Sequence, residues 1–203
     1  MRSNFARLAN ASQAIVSTAL KQLQQDLPGE RFYGFALCVD ADATSCYWSA
    51  NSEESLIRYA EAWKAKTVER FPDSSVTLDQ AIGLHRDDPS AWTYDIEYLS
   101  DAEATTQSQR QLNGIFGEIW TAAENSWLPN IWRTTSTRKK CLRALSSGIN
   151  QYRAISKQDS TDQSIVLLVW INDPDDPAEN QMLARLTNSE SQLAGFFYEP
   201  EAE

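Results

Sequence analysis

Along the chain the spacing of hydrophobic positions changes several times, and each change marks an element. Between residues 4 and 25, Phe5, Leu8, Ser12, Ile15, Ala19 and Leu23 recur at three- and four-residue intervals, the stripe of a helix that buries one face. Leu27-Pro28-Gly29-Glu30 stops it, since proline and glycine in succession favour a turn. Residues 31–39, RFYGFALCV, are almost wholly apolar, as in a strand covered on both faces. The polar run DADATS and the extended pattern of CYWSA, residues 46–50, complete an antiparallel hairpin. Asn51 with Glu54 three residues on reads as a helix start, because a capping side chain accepts from first-turn amides while the later carboxylate reaches back. Leu56, Tyr59, Ala60 and Trp63 line that helix to about Arg70.

Residues 71–91 carry no regular period. In WTYDIEYL, residues 92–99, the large apolar Trp92, Tyr94, Ile96 and Tyr98 alternate with Thr93, Asp95 and Glu97, which predicts a strand with one wet face. A helix follows over about 105–125 along Leu112, Ile115, Phe116, Ile119 and Ala123. Its Gly114 and Gly117 each cost about 1 kcal/mol relative to alanine, which points to close packing as their reason. Another helix covers about 136–153, and SIVLLVWI, residues 164–171, is a second fully apolar strand, expected at the sheet's centre. NDPDDPAE ends that strand and opens a helix around Met182, Leu183 and Leu186; the tail, GFFYEPEAE, adds an aromatic anchor before fraying at 199–203. Strands and helices do not alternate, which disfavours a doubly wound parallel sheet. The expected fold is a single α+β domain over residues 1–203, with helices packed on a mostly antiparallel sheet of about four strands.

Phe32-Tyr33-Gly34-Phe35-Ala36-Leu37, then Ala50-Asn51-Ser52-Glu53-Glu54, then Trp92 with Tyr94, then Val166-Leu167-Leu168-Val169-Trp170-Ile171 resemble one bacterial family, domain of unknown function 4303, over roughly residues 5–190. These stretches are strand cores and a helix cap, so the resemblance implies a fold and transfers no catalytic residue. Small acidic cytosolic families of this kind include many immunity proteins of bacterial toxin systems, and the resemblance implies that class of role.

Composition agrees with one sizeable domain: 203 residues, 42% hydrophobic and 23% charged. No stretch approaches the ~20 apolar residues of a membrane span, and the start, MRSNFARLAN, lacks the apolar core of a secretory signal. The expected location is the cytoplasm. Cys38, Cys46 and Cys141 form no CxxC pair and read as reduced apolar residues, although Cys38 and Cys46 flank the hairpin closely enough to leave their pairing open.

Candidate chemistry is sparse. His85 is the one histidine, which excludes histidine-pair metal sites and leaves a single imidazole beside Asp87 and Asp88. An enzyme with a cleft near His85 is the alternative to a binding role. Asp173, Asp175, Asp176 and Glu179 offer oxygen ligands, but a calcium loop counted from Asp173 finds Ala178 where glycine belongs and Ala184 where glutamate belongs. Acids before a proline-led helix are better explained by the helix's positive amide end. Asp40 and Asp42 read as hairpin-turn residues. Neither a phosphate-binding glycine loop nor a hydrolase elbow occurs, and no cofactor or metal is expected.

Charge is distributed unevenly. Residues 1–70 balance, 71–130 carry two basic against ten acidic groups, 131–157 carry seven basic and none acidic, and 158–203 carry one against ten, within a formal net charge of −10. In the helix 136–153, Leu142, Leu145, Ile149 and Tyr152 share one arc while Lys139, Lys140 and Arg143 fall opposite, giving a positive outer face expected to border the protein's own acidic segments. The surrounding acids would repel a phosphate backbone and steer a basic protein. The sequence therefore predicts a non-catalytic protein that binds a basic partner, such as a cognate nuclease-like toxin, and neither nucleic acid nor membrane. The expected contact residues are Asp87, Asp88, Asp95, Glu97, Asp173, Asp175 and Asp176, with Trp92 or Trp127 as exposed aromatic anchors.

Overall fold

The computed structural model describes residues 2–126, 129–156, 164–176 and 178–197. In chain order the elements are α1 (Arg2–Asp26), β1 (Phe32–Val39), β2 (Cys46–Ser52), α2 (Glu53–Arg70), α3 (Leu78–Arg86), α4 (Glu103–Glu124), α5 (Asn130–Ser156), β3 (Val166–Ile171), α6 (Ala178–Thr187) and the short α7 (Glu190–Leu193). The fold is α+β, as the order of elements predicts. Among the described residues its sheet is three-stranded and mixed, in the order β2-β1-β3. β1 runs antiparallel to β2, with Phe35 opposite Ala50, and parallel to β3, with Phe35 opposite Leu167.

The expected four-stranded, mostly antiparallel sheet is thus corrected twice. First, β1 is central and β3 is an edge. Helices cover both faces of β3, so its unbroken apolarity does not distinguish a centre from an edge. Second, residues 92–99 are not a strand. One 3-10 turn, Pro89–Ala91, precedes them and another, Ile96–Tyr98, lies within them; between the two, Tyr94 makes a single isolated bridge to Ala50 of β2. The alternation has a different origin: the segment wraps round the β2 edge. Trp92 is buried on one face of the sheet and Tyr94 on the other.

One face carries the larger core. There α1 packs on α4 and α5, and Phe35 stacks on Trp48 with ring centroids 5.5 Å apart. Gly148 of α5 lets the α1 backbone approach, since a Cβ there would collide with the Ala9 carbonyl and Ser12. The second face holds a smaller cluster in which Tyr33, Trp92 and Phe196 meet edge to face or tilted at 5.8–6.3 Å. Gly34 lies beneath Trp92, and a Cβ there would enter the indole ring. The aromatic anchor expected of the tail is Phe196; the fraying expected at 199–203 lies outside the described residues.

Local structure departs from the local signals at several positions. α2 is capped by Ser52, whose Oγ accepts from Ser55 N at 3.0 Å, rather than by Asn51. Asn51 donates instead to Tyr33 Oη, and Glu54 accepts from Arg31 N and Nε, both at 2.7 Å. α3 sits in the segment without a period, entered through a reciprocal capping box of Thr77 and Gln80. It buries only Ala81, so no stripe announces it. Gly114 and Gly117 face open space, so close packing does not explain them.

Both sheet edges are closed by side chains. Along β3, Asn180 and Asn188 bond the backbone of Ile171 and Leu167. Along β2, Asn113 accepts from Cys46 N at 3.0 Å and Gln109 donates to Cys46 O. Side-chain amides thereby occupy positions at which a foreign strand could pair.

Candidate functional site

The carboxyl ends of β1 and β3 lie side by side, and the loop that leaves β3 holds three of the seven acids expected as contacts, Asp173, Asp175 and Asp176, beside the hairpin turn that leaves β1. Asp40 belongs to the turn itself: it accepts from Thr44 N (2.7 Å), Thr44 Oγ1 (2.5 Å), Ser45 N (3.1 Å) and Ser45 Oγ (2.8 Å). Burial pushes its pKa up, but these bonds outweigh that and hold the carboxylate below its ordinary value. On the neighbouring loop Asp173, in the left-handed region with φ +51°, and Asp175 and Asp176 are all exposed. Asp176 accepts from Ala178 N at 2.9 Å and so opens α6, the helix-start role the sequence suggested.

Arg138 of α5 stands beside both loops. It pairs bidentately with Glu179 at 2.7 and 2.8 Å, donates through Nε to Ala41 O at 2.6 Å, and feels the charges of Asp175 and Asp42. The hydrogen bonds it donates to Glu179 are the main reason its pKa is raised.

Tyr47 occupies the same end of the sheet, on the second face, and its ring is 43% exposed. Cys38 opposes Tyr47 on one side and Trp170 on the other, so the three form one row across the strands. Asn172 donates to Tyr47 Oη at 3.1 Å. From the opposite side Ser49 Oγ donates to Pro89 O at 2.7 Å, tying the 87–89 loop to β2, and the Asp88 carboxylate acts electrostatically on Tyr47 and Cys38. The Tyr47 hydroxyl pKa is raised, by burial first, with smaller contributions from Cys38 and the Asp88 carboxylate.

Asp88 thus acts on Tyr47 from one loop, and Asn172, at the start of the loop that carries Asp173, Asp175 and Asp176, bonds it from another, with Asp87 half-buried at the end of α3. Asp95 and Glu97 are elsewhere, beside Tyr94 toward the end at which β1 begins, where Asp95 accepts from Glu97 N at 2.8 Å to start a 3-10 turn. Trp92 is not an exposed anchor: it is 7% exposed, held over Gly34, and donates its indole N–H to Arg86 O at 3.1 Å. Its large apolar ring fills the second core. Trp127 lies outside the described residues. Sequence reasoning missed Tyr47 and Trp170 because both sit in apolar strands. The available signal was that Tyr47, Ser49 and Asn51 share one more polar face of β2.

His85 is wedged between Tyr59 and Trp63 of α2, with ring centroids 4.8 and 5.2 Å away in T-shaped contacts. Its Nε2 is buried without a hydrogen-bond partner. Burial lowers its pKa, against a smaller opposing effect of Asp88. Cys38, Cys46 and Cys141 are buried free thiols, so Cys38 and Cys46 are not paired. Among the described residues no group of three or more His, Cys, Asp or Glu is arranged to hold a metal, and no helix is long and apolar enough to cross a membrane.

The positive face of α5 meets the acids only in part. Arg138 pairs with Glu179, and Arg153 is spent on the carbonyls of Thr187 and Ile165. Lys139, Lys140 and Arg143 are exposed and belong to none of the ion pairs among the described residues.

The sequence profile described as "Domain of unknown function (DUF4303)" matches residues 13–188. The chain belongs to the DUF4303 family. No curated protein and no solved structure matches it. For a DUF4303 chain, the geometry at the carboxyl ends of β1 and β3 is therefore the basis on which a function is argued.

Proposed function

We propose that this DUF4303 protein is a non-catalytic binding protein that receives a basic protein partner on the carboxyl-end loops of its sheet, as an immunity protein covers and neutralises a cognate toxin. One observation supports the reading above the others. Asp88 acts electrostatically on the partly exposed Tyr47 from one loop, and Asn172, which bonds the Tyr47 hydroxyl, opens a second loop that carries the exposed Asp173, Asp175 and Asp176. Carboxylates around an aromatic centre suit a cationic surface: the acids steer a positively charged partner in solution, and the ring supplies contact area at the middle of the interface. Tyr47 and Trp170 would then be the anchors that Trp92, being buried, is not.

The test is capture from the native cell on the immobilised protein at low and high salt, with wild type and with a Tyr47→Ser, Asp175→Lys double variant. The expected result is one basic protein retained by the wild type, released as salt screens the acids, and lost from the variant. Equal retention by both proteins would remove this end of the sheet as the binding surface. Coexpression of the captured protein with and without this chain then reads neutralisation as growth.

A further inference from the structure

We infer that the exposed face at the start of α5 is a second binding site, for an acidic peptide segment of a partner protein that carries a large apolar side chain near its carboxylates. No residue of α5 before Thr137 is buried, so the first turns of the helix stand clear of the core. Ile131 is 72% and Trp132 74% exposed there. They open a groove of about 470 Å³ that continues past Thr135 to Lys139, Lys140 and Arg143. At 3.6 residues per turn, Trp132, Lys139 and Arg143 fall within about 40° of one another, on the side of the helix opposite the buried Cys141 and Leu145. They form one strip, apolar at its first end and cationic at its second.

Charge and shape select the occupant. Lys139, Lys140 and Arg143 are exposed and belong to no ion pair among the described residues, and residues 131–157 contain no acid, so the complement of the strip is an anion. A lipid surface or a nucleic-acid backbone spreads its charge far past the strip and meets the field of a protein with a net charge of −10. A short peptide stays within the ~10 Å over which charges act at about 0.1 M salt. A phosphate backbone also offers nothing to Ile131. A flat lipid surface makes no use of a groove, whereas this one has a volume in the range of about 300–1,000 Å³ found for sites that enclose a ligand. Spacing then describes the peptide. Lys139 and Arg143 stand about 10 and 16 Å along the axis from Trp132 at 1.5 Å per residue, which is about three to five residues of extended chain. The matching segment carries its apolar side chain that many positions from its acids.

The site uses none of the residues assigned to the basic partner and is read on the purified chain with synthetic probes, so either reading can fail without the other. The probe is a fluorescent peptide of two leucines, three glycines and three glutamates in that order, followed by polarisation. The wild type is expected to bind it, more weakly as salt rises, and to bind versions with glutamine for glutamate or serine for leucine at least about tenfold less tightly. Lys139→Glu with Lys140→Glu and Arg143→Glu is expected to weaken binding at least about tenfold and to transfer the preference to a peptide with lysine for glutamate. An unfolded variant would show no such transfer. Trp132→Ser, which removes only an exposed ring, is expected to give an independent loss of at least about fivefold, and Tyr47→Ser with Asp175→Lys to bind as the wild type does. Phosphatidylglycerol vesicles and a thymidine oligonucleotide are expected to leave the complex intact. A wild type that ignores the peptide, a charge-reversed variant that binds it equally, or displacement by the vesicles or the oligonucleotide overturns the inference.

Discussion

Asn180 meets Ile171 as a neighbouring strand would: its Oδ1 accepts from Ile171 N at 2.8 Å and its Nδ2 donates to Ile171 O at 3.0 Å. Asn188 repeats the arrangement at Leu167, at 2.9 and 2.8 Å. The two asparagines are eight residues apart, about 12 Å along a helix, and the two strand residues are four apart, about 13 Å along a strand. α6 therefore fits the edge of β3 in length as well as in chemistry. Replacing Asn180 by Leu keeps the volume and orphans both backbone groups, each at about 1–3 kcal/mol. The expected outcome is a loss of at least about 2 kcal/mol in chemical denaturation, with aggregation rising as the edge becomes available.

The glycines divide by what surrounds them. Gly148→Ala is expected to destabilise by about 1–3 kcal/mol, because the α1 backbone fills the place of its Cβ. Gly34→Ala is expected to do the same and to change the near-ultraviolet circular dichroism, since Trp92 must move. Gly114→Ala and Gly117→Ala meet nothing within 4 Å in an exposed helix face and are expected to stabilise by about 0.5–1 kcal/mol each. Thermal melts of the four variants read the contrast.

His85 predicts a pH dependence. Burial between two aromatic rings lowers its pKa below the ordinary value of 6.5, so near and below that value the unfolded chain binds more protons than the folded one. Stability is then complete above pH 6.5 and falls as the pH drops toward 5, above the range in which the carboxylates titrate. His85→Gln is expected to flatten this slope while leaving the fold intact. Urea midpoints at pH 7, 6 and 5 for both proteins measure it.

Thiol chemistry tests the core directly. Burial pushes the pKa of Cys38 and Cys141 up to about 12 and raises that of Cys46 well above its ordinary value, and the thiolate is the reactive form. Alkylation followed by mass spectrometry is expected to leave all three unmodified in the native protein and to label all three in denaturant.

Much of the fold is legible in the chain. The stripe over Phe5–Leu23, the apolar run of β1 and the hairpin after it are local patterns, and local patterns determine helix, strand and turn before any partner element is in place. The net charge, its segregation into blocks, and the absence of a phosphate loop or a hydrolase elbow are likewise properties of the sequence alone. Tertiary structure decided what those patterns meet. Trp92 and Tyr94 alternate as in a strand, yet they belong to opposite faces of the sheet, because period two records burial and not hydrogen bonding. β3 is as apolar as a central strand, yet it is an edge, because asparagines from a helix 9 to 21 residues downstream complete its backbone. The meeting of Asp88 and Asn172 at Tyr47 joins residues 41 and 125 positions apart, and separations of that size are set by which surfaces pack, which no local spacing records.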